Sequence, residues 1–271
     1  ILKLGQDGAP IYLGINCLGG QNAVILREGG SVGELYGYRA IGLYQLDEFT
    51  ATENTTKPGT YIYTVKEGVP VQGVGEQPGS IKLWDRDGNG KIDDNDREVI
   101  GNFLPEFYGA FSTTFNWKSF NLYLGFQYSY GNDLYNANYA MIGFYNGDGS
   151  NQSAAWNKRW TVDNQSSRYY SQIPKGLVSS AFVEDASYLR FASARFTYTL
   201  PNRILAKTKH VEGCKFYISA DNIYTFTKYS GYDPEVGISQ SNASAILSQG
   251  FDYGNFPHAR TFTFGVNLSF K

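Results

Sequence analysis

The stretch FYGAFSTTFNWKSFNLYLGFQYSY, residues 107–130, decides the fold. Phe107, Gly109, Phe111, Thr113, Phe115 and Trp117 fall on one side of an extended chain. Tyr108, Ala110, Ser112, Thr114 and Asn116 fall on the other. After Lys118 and Ser119 the period restarts: Phe120, Leu122, Leu124, Phe126, Tyr128 and Tyr130 oppose Asn121, Tyr123, Gly125, Gln127 and Ser129. A period of two over such lengths specifies β-strands with one apolar and one polar face, and a two-residue gap makes the pair a hairpin.

The same alternation closes the chain, where Phe262, Phe264, Val266, Leu268 and Phe270 alternate with Thr261, Thr263, Gly265, Asn267 and Ser269. Less regular runs at Gly33–Gln45, Tyr188–Leu200 and Lys215–Phe226 make six expected strands. Each matches the ~9–11 residues a tilted strand needs to cross a bilayer, whereas strands of water-soluble domains average about 5–6. Connections alternate long (46–106, 131–187, 227–259) and short (118–119, 201–214). Outer-membrane barrels have this pattern, with short periplasmic turns and long extracellular loops. The expected fold is therefore all-β, an antiparallel transmembrane barrel segment, with its end at Lys271 on the periplasmic side. Six strands are too few to close such a barrel, so the chain is expected to be a fragment of a larger one.

Composition agrees. Tyr (22) and Phe (18) outnumber Met (1), Gly is abundant (31), and the net charge of -2 carries no basic footprint for nucleic acid. No run approaches the ~18 apolar residues of a membrane helix, which leaves strand crossing open. Residues 1–5 lack the pattern of a signal peptide. Cys17 and Cys214 are far apart and read as two unpaired thiols.

One motif carries chemistry. From Asp85 to Asp96 the chain runs DRDGNGKIDDND, with Asp85, Asp87, Asn89, the Lys91 carbonyl, Asp93 and Asp96 at calcium-loop positions 1, 3, 5, 7, 9 and 12, and Gly90 at the sharp turn. Position 12 is Asp rather than Glu, so its carboxylate reaches less far. With no amphipathic helices flanking the loop, a static structural Ca2+ is expected rather than a switch. An Asp/Asn/Gly turn capping its own backbone is the plainer alternative.

Catalytic groupings are not assembled. His210 and His258, the only histidines, read as lone surface residues, and the Glu184/Asp185 pair as solvated charge. The chain is not expected to be an enzyme. Loop aromatics Tyr145, Trp156, Tyr169, Tyr170 and Tyr253 are candidates either for stacking on sugar rings or for packing.

The segments VGELYGY (32–38), the Asp-rich loop, VIGN (99–102) with Pro105, YGND (130–133), Arg159-Trp160, FVEDASYLR (182–190), YTLP (198–201), DNIYTFTKYSGYDPEV (221–236) and RTFTFG (260–265) together resemble the C-terminal part of SusC/RagA-type TonB-dependent transporters. That resemblance implies a plugged barrel of about 22 strands in the bacterial outer membrane. It also implies a SusD-like surface lipoprotein as partner, uptake of oligosaccharides or peptides energised through TonB, and a plug domain and TonB-contacting segment that belong before residue 1. Two competitors are a calcium-dependent glycan-binding β-sandwich, which would turn its aromatic rows inward, and a secreted glycosidase, which would need two convergent carboxylates.

Overall fold

The computed structural model describes residues 3–4, 8–15, 21–73, 76–142, 151–167, 169–171, 177–208, 210–236 and 249–270. In chain order the strands are β1 Ile11–Ile15, β2 Gln21–Leu26, β3 Glu34–Tyr38, β4 Ala40–Leu43, β5 Phe49–Glu53, β6 Tyr61–Val65, β7 Ile81–Leu83 and β8 Arg97–Asn102. There follow β9 Phe107–Trp117, β10 Phe120–Tyr130, β11 Asp133–Asn136, β12 Val183–Asp185, β13 Tyr188–Thr199, β14 Val211–Thr227, β15 Phe251–Asp252 and β16 Thr261–Phe270. Among the described residues, two short helices, α1 Ala137–Ile142 and α2 Asn202–Leu205, complete the regular structure apart from 3-10 turns.

The chain divides into two compact units. One, residues 105–132, 185–235 and 256–271, is a single antiparallel sheet in the order β16-β14-β13-β10-β9. Its long strands pair along nearly their whole length, so the alternation read in sequence becomes rows across the sheet. Trp117, Phe120, Tyr198, Phe216 and Val266 form one row; Phe115, Leu122, Phe196, Ile218 and Phe264 form the next. Further along, Phe111, Phe126 and Phe191 stack face to face at centroid spacings of 4.9 and 4.8 Å. The opposite face carries Thr114, Tyr123, Arg195, Ser219 and Thr263 in one row.

A bulge preserves this sorting. Between Phe191 and Ser193 the β13–β14 register shifts, and Asn222 takes φ 51°. The irregularity keeps Phe191 and Tyr224 in the apolar row and Arg190 and Thr225 on the polar side. Eleven residues of β9 or β10 extend about 36 Å, which at a tilt of ~40° spans about 28 Å, the height of a bilayer's hydrocarbon.

The aromatic face is uncovered: Phe264 is 76% exposed, Trp117 65% and Phe107 52%. A β-sandwich would bury these rings in its core, so the bare aromatic rows do not favour that packing for this sheet.

The other unit gathers residues 1–104, 133–184 and 236–255. Its core of Ile15, Val24, Leu35, Phe103, Tyr135, Val178, Phe182 and Phe251 draws on all three of those segments. Here the expectation of a membrane strand at Gly33–Gln45 fails. The run breaks at Arg39 into β3, which pairs with β2 and β8, and β4, which pairs with β7. The reason is burial on both faces. Glu34, Leu35 and Gly37 are all buried, and a Cβ on Gly37 would lie 2.6 Å from the Val178 carbonyl. Five long strands, not six, make the sheet of the first unit. The 46–106 segment, read as a loop, contains β5 to β8.

Candidate functional site

The Asp-rich loop joins β7 to β8 and folds for local reasons. Gly88 and Gly90 adopt φ of 73° and 80°, a left-handed backbone that costs a side-chain-bearing residue about 1–2 kcal/mol. Asp85 accepts hydrogen bonds from the N–H groups of Gly88 and Gly90, both at 2.8 Å. Asp96 is completely buried and accepts from the N–H groups of Arg86 (2.7 Å), Asp87 (3.4 Å) and Asp93 (2.8 Å). A short side chain at position 12 thus sits inside the loop and organises it.

Oxygens of Asp85, Asp87 and Asp96 lie within 4.8 Å of one another, close enough to share one cation. The remaining expected ligands do other things. Asn89 Oδ1 accepts from the Lys91 N–H at 2.7 Å, and Asp93 Oδ1 accepts from the Asn95 N–H at 2.8 Å, capping the 3-10 turn Asp94–Asp96. At Lys91 the backbone forms a parallel bridge with Val71, through Val71 N–H to Gly90 O (3.1 Å) and Ile92 N–H to Val71 O (2.9 Å). An open cleft of about 510 Å³, lined by Val65, Lys66, Val69, Pro70, Asp85 and Asn89 among others, lies beside the loop. Three carboxylates with glycine-set backbone fit a hard divalent cation, which prefers oxygen ligands.

The loop aromatics divide. Trp156 and Tyr170 pack against the core, with the Arg159 guanidinium 4.7 Å over the Trp156 ring and Tyr170 edge-on to Phe182 at 6.2 Å. Burial pushes the Tyr170 hydroxyl up to about 12. Tyr169 is half-buried and Tyr253 is 45% exposed. Tyr145 and Cys17 lie outside the described residues, while Cys214 is a buried free thiol. Glu184 bonds Asn136 Nδ2 at 2.9 Å, and Asp185 accepts from the Ser187 N–H at 2.9 Å. These neighbouring acids serve separate local contacts.

A cluster that the sequence reading missed lies on the polar face of the long sheet. Arg190, 1% exposed, donates from Nε to Thr225 Oγ1 (3.1 Å), from Nη1 to Glu235 (2.6 Å) and from Nη2 to Asp233 (2.5 Å). Its guanidinium also lies 5.2 Å over the Tyr188 ring. His258, read as a lone surface residue, instead donates to Asp233 Oδ2 from its backbone N–H (3.2 Å) and faces the same oxygen with Nδ1 at 2.9 Å. Burial works against the Asp233 charge, but the N–H groups of Glu235 and His258, the imidazole and Arg190 outweigh it and hold the carboxyl below its usual range. The only sequence signal was a charged residue inside an otherwise alternating strand at Arg190; its hydrogen-bond partners are 35 to 68 residues away.

No protein-family model matches the sequence. The chain is 33% identical over 252 residues to TonB-dependent receptor P3 of Formosa agariphila, covering 91% of this chain and 23% of the receptor. It is 24% identical over 192 residues to TonB-dependent receptor SusC of Bacteroides thetaiotaomicron, covering 69% of the chain and 17% of that protein. The chain therefore spans about a quarter or less of these relatives' length. In fold it matches the RagAB peptide importer in its open-open state with a TM-score of 0.66, over all of this chain and 25% of that one, at 23% identity. These relatives are receptors and transporters, not enzymes. Long antiparallel strands with a bare aromatic face, the receptor relatives and the importer fold together identify the chain as a segment of a SusC/RagA-type TonB-dependent transporter.

Proposed function

We propose that this chain forms part of the wall and the ligand-facing loops of a nutrient importer in the bacterial outer membrane. The observation that carries the reading is the two-faced sheet, whose aromatic rows suit hydrocarbon and whose hydroxyl, amide and arginine rows suit a wet interior. Cargo in this reading is an oligosaccharide or a peptide, captured between the loops and a SusD-like surface lipoprotein. Uptake is energised through TonB. No covalent chemistry is required; movement follows from cargo binding one conformation more tightly than another.

The connections 46–106, 131–187 and 227–259 are the extracellular ones in this reading, since the short turns 118–119 and 200–210 belong to the periplasmic ends of the long strands. The Asp85–Asp96 loop holds a structural Ca2+ through Asp85, Asp87 and Asp96, pinning Val71 and the chain that follows β6. Calcium there supplies charge compensation and rigidity.

The test is expression of the full-length gene in its host, with cell fractionation and growth on candidate glycans and peptides with and without TonB. Outer-membrane residence with TonB-dependent growth on one cargo class is the expected result. A soluble product recovered without detergent would refute it.

A further inference from the structure

The Arg190 cluster does more than satisfy a buried cation, because its carboxylates and its imidazole come from opposite ends of one excursion of the chain. Asp233 and Glu235 lie where the chain leaves β14, and His258 lies where it returns toward β16. Asp233 touches both stems at once. Its Oδ1 accepts from Arg190 and from the Glu235 N–H (3.0 Å), and its Oδ2 faces the backbone N–H and ring of His258. The returning stem is further tied by Asn222 Nδ2 donating to Ala259 O at 3.0 Å.

We propose that Arg190, Asp233 and His258 form a proton-tightened staple, which draws the two stems together as His258 becomes charged. Charge balance sets the direction. With neutral imidazole the cluster holds one cation, Arg190, against two carboxylates, Asp233 and Glu235. Protonation of His258 brings the sum to zero and turns the 2.9 Å contact with Asp233 into a hydrogen bond between opposite charges. The opposing interaction is Arg190 Nη1, 3.4 Å from the same imidazole nitrogen; its shorter hydrogen bond, 2.6 Å, goes to Glu235, whose negative charge offsets it. The other groups facing the cluster are Tyr188 and Thr225 on the sheet and Gln127, whose Nε2 lies 3.4 Å from Glu235. None of them adds a charge near neutral pH. Histidine is the side chain whose charge ordinarily changes between about pH 5 and 8.

The stems carry two of the most exposed aromatic rings in this unit, Tyr232 (72%) and Phe256 (95%), each close in sequence to a staple residue. The staple thereby sets how these rings are presented. The experiment uses the full-length transporter in outer-membrane vesicles, with Cys17→Ser and Cys214→Ser, and spin labels on Tyr232→Cys and Phe256→Cys. Distance distributions are measured at about pH 8 and about pH 5.5. The expected result is a narrower distribution at the lower pH, lost in His258→Asn, which retains a donor but no titratable charge. Asp233→Asn should broaden the distribution at both pH values. A distribution that stays constant or broadens on acidification of the His258 protein, or a narrowing that persists in His258→Asn, overturns the proposal. Heat-modifiable electrophoretic mobility establishes that each variant is folded. A distribution that fails to narrow in the His258 protein overturns the proposal even if a variant fails to assemble.

Discussion

At the scale of single residues, Arg190 shows how a charge is kept inside a polar wall: each of its three nitrogens has an acceptor, and two of those acceptors are carboxylates. Truncating it leaves Asp233 buried without its counter-ion. Arg190→Ala should cost about 3–5 kcal/mol, read as a lowered midpoint in urea unfolding of the full-length protein in vesicles. Acid should act through Asp233 in a defined direction. A carboxyl held below its unfolded value contributes stability that is complete above the ordinary carboxylate range and is lost as pH falls through the lower folded value. Acid unfolding of Asp233→Asn should accordingly lack that part of the profile below about pH 4. In the Asp-rich loop, Gly90→Ala forces a Cβ into φ 80° and should cost about 1–2 kcal/mol locally. Calorimetry with Ca2+ should show weakened binding in that variant, while Lys66→Ala, on the cleft wall, should leave the affinity close to wild type.

Among elements, the long strands are distinguished by which face a substitution meets. Leu124, in the apolar row with Ala194, Ala220 and Phe262, faces the surroundings that the aromatic rows share. Leu124→Arg should destabilise the full-length barrel by about 2–4 kcal/mol if the face meets lipid near mid-bilayer. Thr197→Arg, on the opposite face between Asn121 and Tyr217, should cost well under half as much. Equal costs on the two faces would contradict the assignment of lipid and interior. The glycines of these strands have a related purpose. A Cβ at Gly265 would fall 2.2 Å from the Tyr217 ring, which lies across bare backbone with Arg195 stacked 4.1 Å above it. Flat packing of a ring on glycine lets a polar face carry large side chains without splaying the strands.

At the level of the whole molecule, the two compact units should answer separately to removal of divalent cation. Chelation should raise amide exchange across residues 85–96 and at the Val71 bridge, where the backbone is held by loop side chains and one short parallel contact. Exchange in β9 and β10, protected by a full antiparallel ladder, should be unchanged. Uniform loss of protection across both units would instead point to a cation that stabilises the assembled protein as a whole.

The alternation of apolar and polar residues by itself determined the long strands β9, β10 and β16 and the two-residue turn between the first pair, since period-two patterning is local and repeats at every position. The spacing of Asp, Asn and Gly likewise determined the Asp-rich loop, whose glycines and acids lie within a dozen residues. Tertiary structure decided the rest. Whether Gly33–Gln45 crosses a membrane depended on what packs against Gly37 from Val178, far along the chain, and β3 and β4 went to different sheets in consequence. His258 and Arg190 acquired partners only when distant segments met, because a charge's pairing depends on separation in space and leaves no period in the sequence.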